Sequence, residues 1–147
     1  MTIKKYHLIA FLLILVIPMA NYAGEKKVDD YIIYYNAFNS SFLQPEVAKA
    51  YNIPRSGFTA VLNLSVHKRH ENNTTSALSA NVQGRTKNNL SQFQDLAFKE
   101  IKEDQAIYYL ADFSFRHQES TSIEFTIRIP GREKPITISF DQKFFAD

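Results

Sequence analysis

The chain has 147 residues, with Lys+Arg 17 against Asp+Glu 15, four glycines, no cysteine and no tryptophan. That is the length of one domain, and the missing cysteine excludes disulfides, a thiol nucleophile, a thiolate metal site and thiol redox chemistry. Neither the Walker pattern nor G-x-G-x-x-G occurs, which excludes nucleotide chemistry built on a glycine-rich phosphate cradle.

Lys4 and Lys5 precede a continuous apolar run, Leu8 to Ile17, that ends at Pro18 and is followed by the small residues Ala20 and Ala23. This is the pattern of a secretory signal peptide, with cleavage expected after Ala23. The run has half the length of the roughly twenty residues that a membrane-spanning helix needs. The expected organisation is therefore a signal peptide over 1–23 and one domain over 24–147, with no membrane anchor after cleavage. Losing Lys4 and Lys5 takes the basic residues from 17 to 15, equal to the acidic ones, all of which lie in the mature part. A formally neutral chain argues against a nucleic-acid partner. Met1 and Met19 also leave with the signal, so a methionine-rich copper(I) site is not expected.

Tyr31 to Phe38 is rich in aromatic and β-branched residues and predicts a strand covered on both faces. Pro45 at a first helical position, Glu46 beside it and Asn52 at the end predict a short helix over 45–51, stopped by Ile53-Pro54. From Phe58 to Val66 apolar residues alternate with polar ones, a half-buried strand. Ala77 to Lys87 repeats the alternation, predicting a hairpin that pairs Leu64 with Ala80 and Leu62 with Val82; Gly84 marks a bulge or a close backbone approach. Leu96 and Phe98 predict the first arm of a second hairpin, with Ala106 to Arg116 as its other arm. Ile123, Phe125, Ile127 and Ile129 alternate in a further strand, and the turn 130–135 returns the chain so that Ile127 opposes Ile138 and Phe125 opposes Phe140. About seven strands at roughly ten-residue spacing and one helix predict an antiparallel, immunoglobulin-like β-sandwich.

Several stretches are familiar together: Tyr35-Asn36-Ala37-Phe38-Asn39-Ser40, Pro45-Glu46-Val47-Ala48-Lys49-Ala50-Tyr51, Arg55, Ala106-Ile107-Tyr108-Tyr109 and Gln142-Lys143-Phe144-Phe145. The chain resembles a family of exported Gram-negative bacterial proteins known only as domain of unknown function 4426. Asn52 stands where that pattern has glycine, and Phe145 where it has tyrosine. The resemblance implies a periplasmic β-sandwich and carries no catalytic residue or ligand with it.

Few side chains offer chemistry. His67 and His70, with Glu71, are the residues from which a zinc or copper(II) site would be built, although residues three apart on a strand face opposite ways and Lys68 and Arg69 repel a cation. Asp95 and Asp112 are the carboxylates that the second hairpin would oppose as an acid–base pair. The serines lie in no G-x-S-x-G elbow. Asn63, Ser65, Ser79, Asn81 and Gln83 would share the polar face of the first hairpin. Asn36, Asn39 and Arg55, polar groups beside aromatic residues at the end of a strand and after the helix, form the leading candidate binding set, since the end loops of sandwiches commonly hold sites.

By subtraction, the expectation is a periplasmic, non-enzymatic binding or adaptor module without a cofactor. Its partner would be another periplasmic or envelope protein, met at a sheet edge or through end loops. The alternative is a periplasmic zinc or copper(II) protein using the histidines.

Overall fold

The computed structural model describes residues 23–147, and the signal peptide expected over 1–23 lies almost wholly outside them. Among these residues ten strands form: β1 (Ala23–Val28), β2 (Tyr31–Asn39), β3 (Thr59–Arg69), β4 (Thr75–Ala77), β5 (Asn81–Lys87), β6 (Phe93–Leu96), β7 (Lys99–Glu103), β8 (Ala106–Ser114), β9 (Glu119–Arg128) and β10 (Ile136–Phe144). A 3-10 turn (Ser40–Phe42) and the helix α1 (Pro45–Ala50) join β2 to β3. Three more strands than expected arise because β1 and β4 are short and polar, with little alternation to betray them, and because the segment 81–103 is cut into three.

The strands make two antiparallel sheets. One runs β1-β2-β3-β8-β7, with β4 on β3; the other runs β10-β9-β5-β6. This is the expected all-β sandwich. The core lies between the sheets, where the period-two faces meet: Leu62, Leu64 and Val66 of β3, Phe113 of β8, and Ile123, Phe125 and Ile127 of β9 are almost fully buried. Each such burial removes enough apolar surface from water to favour folding by about 1.5–3 kcal/mol. Edge-to-face rings lock the centre, with Tyr35 at 5.6 Å from Phe125 and Phe113 at 5.5 Å from Phe144.

Both faces of β2 are used. Ile33 and Ala37 face the core, while Phe38 joins a second cluster with Val61, Leu110, Ile101, Leu43, Ala48 and Ile53 on the outside of the sheet. The helix segment caps that outer face. Pro45 occupies the start of α1 as expected, and Asn52 ends the segment in the left-handed region at φ 55°.

The first predicted hairpin is corrected. Its register is kept, but only as a three-rung ladder, His67↔Ala77 to Arg69↔Thr75, extended by the Leu78 N–H donating to the Val66 carbonyl. The chain then leaves for the other sheet, and β3 spends its remaining edge on β8, pairing Leu64 with Tyr109. Leu64–Ala80 and Leu62–Val82 pairs therefore do not form. The second hairpin is also shifted: Lys99 pairs with Leu110, whereas Leu96 belongs to the opposite sheet, facing Gly84. In the last hairpin Ile136 meets Ile127 and Ile138 meets Phe125, a slip of two residues that preserves every inward face.

Candidate functional site

The residues expected to form a site are spread over three places. Asn36 and Asn63 are cross-strand partners on the outer face, with Asn63 Nδ2 donating to Asn36 Oδ1 at 3.3 Å. Asn39 lies at the end of β2, where its Nδ2 donates to the Phe145 carbonyl at 2.7 Å and to Asp147 Oδ1 at 3.1 Å. Arg55 donates to the Ser41 carbonyl at 3.1 Å, and the Ser41 hydroxyl donates to the Asp147 carboxylate. Asn39 and Arg55 thus share one neighbourhood, the docking of the chain's last residues, and Asn36 does not join them.

His67 and His70 have hydroxyl partners. His67 Nε2 lies 3.2 Å from Ser65 Oγ and its ring packs edge-on to Tyr34 at 5.4 Å, while His70 Nε2 lies 2.7 Å from Ser76 Oγ. Burial holds the His67 imidazole below its ordinary 6.5. Among the described residues no three of His, Cys, Asp and Glu gather as metal ligands, so His67, His70 and Glu71 are not brought together as a ligand set. Asp95 and Asp112 are on different sheets, Asp95 opposite Arg85 and Asp112 opposite Val61, and their expected pairing is overturned. The polar face of the first hairpin is divided in the same way, because β5 carries Asn81 and Gln83 to the second sheet.

A different feature stands out. Among the described residues six large apolar side chains are exposed: Tyr34 42%, Phe42 56%, Phe58 56%, Leu90 60%, Phe93 57% and Phe145 53%. All but Tyr34 sit at one end of the sandwich. Phe42 follows β2, Phe58 precedes β3, Phe145 follows β10, Leu90 belongs to the turn from β5 into β6 and Phe93 opens β6. Strand pairing brings these termini to a common pole, since Thr59 pairs with Ser114, Phe144 with Glu119 and Lys87 with both Phe93 and Ser122. Sequence periodicity misses this cluster. Phe58 has the parity of the buried Ala60 and Leu62 but lies one residue before the first rung, so nothing covers it; Phe42, Leu90 and Phe93 follow no alternation at all.

The pole is held by specific turn geometry. Gln118 takes the left-handed region at φ 59° between β8 and β9, and Ser91 does so at φ 59° between β5 and β6. Asn88 Oδ1 accepts from the N–H groups of Leu90 (3.0 Å) and Gln92 (2.9 Å), which fixes the turn that displays Leu90. The Arg85 guanidinium lies 4.6 Å from the centre of the Phe93 ring. Between this turn and the β8–β9 turn opens a shallow concavity of about 450 Å³, lined by Phe93, Gln94, Arg116, Glu119 and Thr121 among others.

The chain belongs to the family described as Domain of unknown function (DUF4426), whose model matches residues 25–147. It is similar to a DUF4426 family protein of Pseudomonas aeruginosa PAO1, at 31% identity with a TM-score of 0.73, covering 85% of this chain and 96% of that one. It also shares its fold with FetP of uropathogenic Escherichia coli strain F11, expressed in the periplasm, at 11% identity, TM-score 0.61, covering 86% of this chain and 96% of that one. A copper-bound E46Q variant of FetP superposes likewise, at 11% identity, TM-score 0.62, covering 86% and 97%. No curated protein matches. Among the described residues no helix is long and apolar enough to cross a membrane.

Proposed function

We propose that the mature domain is a periplasmic, non-enzymatic binding module that engages another envelope protein through its phenylalanine-rich pole. The observation that carries this reading is the gathering of five of the six exposed large apolar side chains at one end of the sandwich. Apolar surface left in water costs free energy, and exposed aromatic side chains gathered at one end beside polar groups suit a binding face. Between a sheet edge and the end loops, the geometry favours the loops. The signal-peptide pattern supports a periplasmic location, as does the fold shared with FetP.

The test is a photo-crosslinking amino acid placed at Phe58 or Phe93, and at Lys134 in the opposite turn as control, in cells expressing the full chain. The expected result is one protein adduct shared by Phe58 and Phe93, absent from Lys134, and lost in the background of Phe145→Ser. Adducts equally formed from Lys134, or none from the pole, would overturn the reading.

A second reading, zinc or copper(II) binding through His67 and His70 with Glu71, draws support from the fold shared with the copper-bound E46Q variant of FetP and requires segment 67–71 to rearrange, since these residues are not gathered as ligands. It predicts a rise in Tm when either metal is added well above micromolar concentration. That rise should disappear in His67→Ala; an unchanged Tm would end this reading.

A further inference from the structure

Glu119 opens β9 at the pole and is 6% exposed, with its neighbour Thr121 at 2% and Thr86 of β5 at 4%. All three line the 450 Å³ concavity. The main-chain N–H of Arg116 donates to Glu119 Oε2 at 3.3 Å, a long bond. None of the ion pairs among the described residues includes Glu119: they join Lys27 to Glu25, Arg85 to Glu124, Lys102 to Glu100 and Arg132 to Asp29. Arg116 lines the same concavity but is exposed and makes no ion pair with Glu119. A carboxylate withdrawn from water without a cation is costly, and natural proteins nearly always give such a group a partner. Here the carboxylate lines the concavity, whose lining also includes the exposed Phe93 ring.

We propose that the Glu119 concavity receives the cationic head of a basic side chain, lysine or arginine, presented by the protein that docks on the pole. The site rests on the reading of the pole as a binding face and names the chemistry of what that face takes. The ammonium or guanidinium would complete the charge of Glu119, the Thr86 and Thr121 hydroxyls would accept further N–H groups, and the aliphatic stem would lie along Phe93. The exposed phenylalanines elsewhere on the pole suit apolar residues beside that basic side chain.

The experiment uses three capped peptides as probes, acetyl-Leu-Lys-Leu-amide, acetyl-Leu-Arg-Leu-amide and acetyl-Leu-norleucine-Leu-amide, titrated by NMR against the purified protein. Either basic peptide should bind at least about tenfold more tightly than the norleucine peptide, the usual scale for a desolvated charge contact. The lysine and arginine arms decide which head is preferred. Shifts should concentrate in 86–94 and 114–121. Glu119→Gln keeps an acceptor for the Arg116 N–H and removes the charge, so Tm should not fall while the preference for basic peptides disappears. Arg116→Gln should leave that preference intact or strengthen it. Equal binding of basic and norleucine peptides, no binding of any, or weakening by Arg116→Gln comparable to Glu119→Gln would overturn the proposal; the comparison among peptides stands on the unaltered protein and needs no variant to fold. The crosslinking at Phe58 and Phe93 is independent of charge, so the pole can survive as a binding face where the cation site fails.

Discussion

Tyr109 shows how this chain uses a polar group in its interior. It is buried, its hydroxyl donates to Glu100 Oε2 at 2.6 Å and accepts from the Ala80 N–H at 2.7 Å. Burial, then the Glu100 hydrogen bond, push the phenol up to about 12, so it stays protonated across the physiological range. The bond to Ala80 pins the segment where the chain passes from one sheet to the other. Tyr109→Phe would leave the Ala80 N–H without its partner and should cost about 1–3 kcal/mol in urea unfolding; a cost near zero would mean that water replaces the hydroxyl. His67 gives a pH dependence of definite sign. Its folded value lies below the ordinary 6.5, so the unfolded chain takes up the proton first. Stability should be insensitive to this group above about pH 6.5, decline as the pH falls through the interval below 6.5, and level off beneath the folded value. Following the urea midpoint of wild type and His67→Gln between pH 8 and pH 5 checks this, and the two profiles should converge or cross only on the acid side. Polar residues of the motifs shared with the family behave as Tyr109 does: Asn39 holds the Phe145 carbonyl and Gln142 Nε2 reaches the Ala37 carbonyl at 3.0 Å. Their types were legible in the sequence; that they serve internal bonds was not, because the acceptors lie more than a hundred residues away.

At the scale of elements, alternation told which residues face inward far better than it told which strands pair. Ile123, Phe125, Ile127, Ile136 and Ile138 are buried as their spacing requires, yet the hairpin they form is slipped by two residues, a shift that no period-two pattern can detect. The hairpin expected after β3 fails for a related reason. Leu78, Ala80 and Val82 all face the core, and a chain that crosses between sheets can keep that alternation while exchanging every partner. The short helix was legible to within one residue because proline and a left-handed asparagine bracket it. Gly84 was correctly marked as a close approach: a Cβ there would come within 2.6 Å of the Glu124 carbonyl and 2.9 Å of Phe125 Cβ. Gly84→Ala must therefore push β5 away from β9 next to the most buried ring in that sheet, and should destabilise the domain by about 1–3 kcal/mol. A thermal melt measures it, and Gly131→Ala, in a turn where a Cβ would meet nothing within 4 Å but φ is +81°, offers a comparison in which only backbone conformation is at stake.

For the whole molecule, the sandwich followed from composition and turn spacing, whereas the exposed pole followed from neither. Five side chains from distant parts of the sequence meet there only because the strand ends do, and their shared position is a property of topology. The two long sides of the sandwich are closed in unlike ways. On one side the chain itself passes from β6 to β7 across Ala97 and Phe98, so the sheets are joined covalently. On the other, β10 and its flanking turns meet β1 and β2 through side chains: Gln142 to the Ala37 carbonyl, Asn39 to the Phe145 carbonyl, Lys26 to the Thr137 carbonyl, the Arg132–Asp29 ion pair and the Tyr35 ring on Phe140. The molecule is in effect a book with a bound spine and a fore-edge clasped by side chains. Its slow breathing should begin at the clasp: amides of β1 and β10 would exchange with solvent well before those of β3 and β8, and a tether across that edge would slow opening far more than one across the spine.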